Sequence, residues 1–252
     1  ADTMRELEHG FNNTEGLAAL PEGKDYYAIL FAAATALDES PDEIREMAAE
    51  RLDKTISRLG GLAFLYPDAY NAWVEGSYKT SFASYEEMLQ FLDSATDASF
   101  PDVGELSYVI APIADDVANS GVAAYFITPA IDESGPLRIR VNTQNTVDLN
   151  ALSTFSTLAH EGIPGHMYAS AYSYQNLSSD FRKILASQTG YNEGYATYIE
   201  LLSLDYLESP EIPAEVLEME RLNAELSNCL VTIMDISVNY DGMSREEFAD
   251  TF

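Results

Sequence analysis

A chain of 252 residues with 42 Asp and Glu against 13 Lys and Arg carries a formal charge of −29. That field opposes nucleic acid and anionic membrane surfaces as partners, since both need cationic contacts. With 46% hydrophobic residues the composition is globular, and no apolar run has the length of a membrane span.

The start, Ala1-Asp2-Thr3-Met4-Arg5-Glu6, lacks the basic and apolar stretches of a signal peptide. His9 sits in the polar, glycine-containing run Glu8-His9-Gly10-Phe11-Asn12-Asn13 and reads as a surface histidine. The apolar run from 28 to 37 is broken by small residues and predicts a buried helix over 24–37. Pro41 ends that pattern, because proline disfavours helix at the residue before it. It also begins the next helix: Ser40 caps it, Pro41 takes the first helical position and Glu43 completes a capping box. Ile44, Met47, Ala48, Leu52, Ile56 and Leu59 share one stripe at helical spacing and are assigned to the core, with Gly60-Gly61 as the stop. Tyr66-Pro67-Asp68 reads as a turn in an aromatic stretch that holds the only tryptophan, Trp73. Ser84 and Glu87 form a second capping box, opening a helix through Met88, Leu89, Phe91 and Leu92.

From Phe100-Pro101-Asp102 the pattern changes. Short β-type runs lie at 107–110 and 122–128, and at 137–141 Leu137, Ile139 and Val141 alternate with Arg138 and Arg140. They predict a small antiparallel sheet over 105–143, with both arginines facing solvent or an acidic neighbour. Helix returns after Asp148, which or Asn150 caps it, with Leu152, Phe155, Leu158 and Ala159 as its apolar stripe. Gly190 predicts a turn, 191–207 a helix and 214–238 a long one; Ser244 with Glu247 is a third capping box. The chain stops at Phe252, about two turns into that helix, the expected look of a piece of a longer protein. The reading is a helical region at 1–100, a sheet at 101–147 and a helical metal-site region at 148–252, within one continuous domain.

Two of the three histidines stand in His160-Glu161-Gly162-Ile163-Pro164-Gly165-His166. Neutral imidazole and carboxylate are the usual non-thiol zinc ligands, and the single cysteine, Cys229, excludes both a multi-cysteine site and an intramolecular disulfide. The familiar helical zinc motif spaces its histidines by four residues with a glutamate as base. Here the spacing is six, which on a regular helix leaves the second ring about 120° from the first. Chelation therefore requires a bulge or kink at Ile163-Pro164-Gly165, where proline removes a donor and glycine permits unusual dihedrals. Glu193, opening the next helix in Asn192-Glu193-Gly194-Tyr195-Ala196-Thr197-Tyr198, is the expected third ligand, with Gly194 allowing close packing. Thr197 and Glu200 share its face and are expected to orient a histidine.

These two stretches closely resemble a large bacterial family known as domain of unknown function 885, grouped with the gluzincin metallopeptidases, which shows H-E-x-x-P-G-H and then E-G-W-x-x-Y. The resemblance runs from about Leu20 to the end. It implies a mainly α fold with a small sheet (α+β) of gluzincin, thermolysin-like architecture. It also implies one zinc ion at His160, His166 and Glu193, with Glu161 as general base. Two departures stand out: Tyr195 replaces the family tryptophan, and Asn239 stands where many members have the histidine of D-x-G-x-H-x-x-G-W, leaving Tyr240 or Asn239 to bind the oxyanion. Members are usually about twice this length.

The expected function is a zinc-dependent peptide hydrolase in which Glu161 deprotonates a zinc-bound water. A peptide would add to the strand at 122–128, with Arg138 and Arg140 as the less favoured partners of its carboxylate. The rival is a non-catalytic peptide-binding or surface protein that retains a degenerate metallopeptidase fold; a third reading is hydrolysis of a non-peptide amide. The acidic surface favours an extracellular or cell-surface location over the cytoplasm.

Overall fold

The computed structural model describes residues 16–118, 122–132, 135–144, 147–185 and 188–251, so His9 lies outside it. The first helix, α1 (Gly23–Thr35), buries Gly23 and Tyr27. Contrary to the buried helix expected there, Ile29 is 67% exposed, because the apolar residues surround the helix while one stripe finds a partner. Helix α2 (Pro41–Leu65) starts at the expected box: Ser40 Oγ accepts the Glu43 N–H at 3.3 Å and Glu43 accepts the Ser40 N–H at 2.8 Å. It does not stop at Gly60-Gly61, where a glycine in mid-helix costs only about 1 kcal/mol. Of its expected stripe Leu52 is buried, while Met47 and Ile56 are exposed.

Pro67 opens α3 (Pro67–Val74), and Ser84 caps α4 (Tyr85–Thr96) by accepting the Glu87 N–H. Three strands follow, β1 (Tyr108–Pro112), β2 (Ala124–Phe126) and β3 (Leu137–Val141). Then come α5 (Leu152–Glu161), α6 (His166–Asn176), α7 (Asp180–Leu185), α8 (Thr189–Ser203), α9 (Ala214–Asn239) and α10 (Arg245–Thr251). Two starts differ from expectation. Ala151, not Asp148 or Asn150, caps α5, and Gln188 caps α8 ahead of Gly190, which sits within the helix. The third box holds, with Ser244 and Glu247 exchanging hydrogen bonds at 2.8 and 3.2 Å.

The sheet order is β1-β3-β2. β2 pairs antiparallel with β3, but β1 runs parallel to it, Tyr108 opposite Leu137 and Pro112 opposite Val141. The sheet is therefore mixed, correcting the antiparallel expectation. Alternation tells which residues face the core, not which way a neighbour runs, and Ile139 and Val141, both buried, put β3 in the centre.

The chain divides into two compact units: Ala1–Arg58 with Asn223–Phe252, and Leu59–Leu222. In the first, Leu52, Cys229 and Ile233 form the buried cluster. The second has the larger core, where Met88, Leu89 and Leu92 of α4 and Ile139 of β3 pack with Phe155 and Leu158 of α5. That packing fixes α5, whose last two residues are His160 and Glu161. No helix among the described residues is long and apolar enough to cross a membrane.

Candidate metal centre

The helix that carries His160 ends one residue later, and a new one begins at His166. Between them Gly162-Ile163-Pro164-Gly165 turns the chain, with a cis Ile163–Pro164 bond. The Gly165 N–H donates back to the Ala159 carbonyl at 3.0 Å, and the Tyr168 N–H to that of Gly162 at 3.1 Å. Gly165 is required by crowding rather than by a left-handed φ: a Cβ there would stand 1.8 Å from the His160 carbonyl oxygen. The phenol of Tyr195, on α8, donates to the Pro164 carbonyl at 2.7 Å. Burial raises that phenol's pKa, so it remains a donor.

The break brings the two imidazoles together, ring centroids 4.8 Å apart and nearly perpendicular at 82°. Glu193, in the first turns of α8, meets both: its carboxylate lies 3.5 Å from His160 Nε2 and 3.4 Å from His166 Nε2. The three donor atoms lie within 4.8 Å of one another, a grouping that can hold a metal ion. Donors bound 2.0–2.1 Å from a tetrahedral zinc stand about 3.3–3.4 Å apart, so both measured edges fit. The side chains of His160 and His166 are 16% and 17% exposed, against 57% for Glu193.

Two turns along α8, Glu200 lies 3.2 Å from His160 Nδ1. A proton on Nδ1 satisfies that contact and leaves the Nε2 lone pair facing Glu193 and His166. Burial works to lower the His160 pKa, but the Glu200 hydrogen bond and the carboxylates of Glu161, Glu200 and Glu193 outweigh it, and the net shift is upward. Thr197 is half-buried and makes no hydrogen bond to either imidazole. Nor does Gly194 serve close packing, since a Cβ there would meet nothing within 4 Å.

Glu161 is partly buried beside the cluster. The Phe126 N–H on β2 donates to its Oε2 at 2.8 Å, leaving the other oxygen for proton transfer. Burial raises its pKa; the Phe126 hydrogen bond and the two imidazoles act against this, and the net direction is up. A carboxyl raised toward neutrality suits a general base.

Asn239 and Tyr240 belong to the first unit. There Asn239 accepts the Leu17 N–H at 3.2 Å and donates to Asp235 at 2.8 Å. The Tyr240 ring packs 5.8 Å from that of Tyr27, under the Lys24 ammonium at 4.0 Å. Arg140 donates to the Pro112 carbonyl at 3.2 Å, while Arg138 is exposed.

Two features of the site were not anticipated, the Phe126 contact and the Tyr195 anchor; beside His166 there is also a tyrosine-walled cleft, which the 16 tyrosines of the sequence allow. The cleft had a signal in the sequence, since Tyr168 with Tyr172 and Tyr191 with Tyr195 are i, i+4 pairs on the helices carrying His166 and Glu193.

Over residues 1–252 the chain matches the model of a family described as "Bacterial protein of unknown function (DUF885)". No curated protein matches it. Its structure is similar to one described as "The crystal structure of the putative lipoprotein from Colwellia psychrerythraea", at a TM-score of 0.79 and 17% identity. That likeness covers 99% of this chain and 45% of the other, so this chain spans under half the length of that protein.

Proposed function

The chain belongs to the DUF885 family, whose function is unknown, and from that premise we propose that it is a zinc-dependent peptide hydrolase with a gluzincin-like architecture. The observation that carries this is the convergence of His160 and His166 on Glu193 at 3.5 and 3.4 Å, with a partly buried carboxylate, Glu161, next in sequence to one ligand. Zinc held there supplies Lewis acidity, which activates water and polarises a peptide carbonyl. Glu161 accepts a proton from the attacking water and delivers it to the amide nitrogen as the C–N bond breaks, giving a carboxylate and an amine. Glu200 holds the His160 ring, while the β2 backbone holds Glu161 by one oxygen.

Within the first unit both sides of the Asn239 amide are already engaged, by Leu17 and Asp235, so it offers no free oxyanion donor. That engagement also favours the rival reading, a peptide-binding protein without turnover. The lipoprotein description of the similar structure supports an extracellular or surface location.

Metal analysis and a peptide-library digest test the proposal. About one equivalent of zinc is expected, lost in His160→Ala. Glu161→Gln should keep the metal and lose cleavage. Absence of zinc from the purified protein sinks the metal site, and an unchanged cleavage rate in Glu161→Gln sinks the role of Glu161.

A further inference from the structure

Beside His166 lies a cleft of about 410 Å³, walled by Tyr168, Tyr172, Tyr174, Tyr191 and Tyr195. Three of these phenols donate to proline carbonyls: Tyr168 to Pro101, Tyr174 to Pro129 at 2.7 Å and Tyr195 to Pro164 at 2.7 Å. Anchored in this way, their rings form fixed apolar walls suited to a large apolar or aromatic group.

The charge of the lining runs against that of the molecule. The chain has 42 carboxylates and 13 cations, yet among the described lining residues none is Asp or Glu and one is a cation, Lys183. The Lys183 side chain is 19% exposed, and its ammonium stands 5.7 Å from the Tyr174 ring centroid. It is also 3.2 Å from Asp180, whose own side chain is 69% exposed. An ion pair so wet on one side is weak, so Lys183 can exchange that partner for an incoming anion.

We propose that this cleft receives the C-terminal residue of the peptide substrate, its apolar or aromatic side chain among the tyrosines and its free carboxylate at Lys183. The inference rests on the peptidase reading and narrows it to hydrolysis near the C-terminal end of a peptide. Elsewhere the molecule's charge repels a carboxylate. In the cleft the carboxylate meets an ammonium in a partly desolvated place, where charge-assisted hydrogen bonds are strong. An internal segment offers a neutral amide at that point and gains nothing from Lys183.

The test measures binding of three acetylated peptides to zinc-loaded Glu161→Gln protein and to metal-free wild type. One ends in Phe as a free acid, one is its C-terminal amide, and one is the amide with an internal Glu. The free acid should bind roughly tenfold more tightly than either amide, the scale of one hydrogen bond to a charged group. Lys183→Met should abolish the difference without weakening the amide, and Asp180→Asn should widen it. Equal binding of acid and amide, a preference that survives Lys183→Met, tightest binding of the internal-Glu amide, or no binding at all overturns the proposal. Wild-type cleavage of internally quenched peptides reads the peptidase assignment separately: cleavage indifferent to the terminus removes only the carboxylate subsite. Acid-selective binding without cleavage keeps the subsite and removes the peptidase.

Discussion

Gly165 and Gly194 are both glycines of the predicted motifs, and the structure gives them opposite roles. A Cβ at Gly165 would collide with the His160 carbonyl at 1.8 Å and with that of Ala159 at 2.4 Å. Neither backbone group can retreat without moving a proposed ligand. Gly165→Ala should cost about 3 kcal/mol, the upper end for overpacking, and weaken zinc binding. Gly194 is helical with open space around its Cα, so Gly194→Ala should gain about 0.5–1 kcal/mol. Urea unfolding midpoints check both changes. The gathering of His160, His166 and Glu193 was legible in the sequence, because these are the residue types of a non-thiol metal site and the Pro-Gly pair marks the break that brings them together. That Gly165 acts through crowding was not, since the clash involves a carbonyl brought close only by the turn.

At the scale of elements, the three Ser-x-x-Glu boxes were readable because capping is local: the partners lie three residues apart. The run of α2 through Gly60-Gly61 was not, because a mid-helix glycine weakens a helix without ending it; nor was the parallel β1–β3 pairing, which contacts distant in sequence decide. Glu220 on α9 is a long-range contact of that kind. It accepts the Trp73 indole N–H at 2.8 Å. Burial raises its pKa, the indole contact lowers it, Glu200 raises it further, and the net shift is up. A carboxyl whose folded pKa is raised contributes stability below its unfolded pKa, about 4.3, and loses it as pH rises through the folded value. Glu220→Gln keeps an oxygen for the indole and has no charge to desolvate. Its Tm should exceed that of the wild type at pH 7 and show no gain at pH 4.

For the whole molecule, a charge of −29 opposes compaction through self-repulsion. Ion pairs such as Lys79–Asp148, with side chains 49% and 46% exposed, are worth little against it. Raising ionic strength from roughly 0.01 to 1 M shortens the screening length from about 30 to 3 Å. Thermal unfolding of the wild type should therefore move to higher temperature as sodium chloride is added. A fall in Tm would mean that the ion pairs outweigh the repulsion.

One helix, α8, supplies Glu193, Tyr195 and Glu200, which reach His166 and His160, the Pro164 carbonyl and the far side of the His160 ring. The accuracy of the cluster is thus inherited from the pitch of a single helix, and the exposed positions between 193 and 200 tolerate substitution far better than the helix tolerates a change in length. One alanine inserted after Thr197 would turn Glu200 about 100° away from the face of Glu193. Zinc affinity should collapse, although every residue of the site is still present.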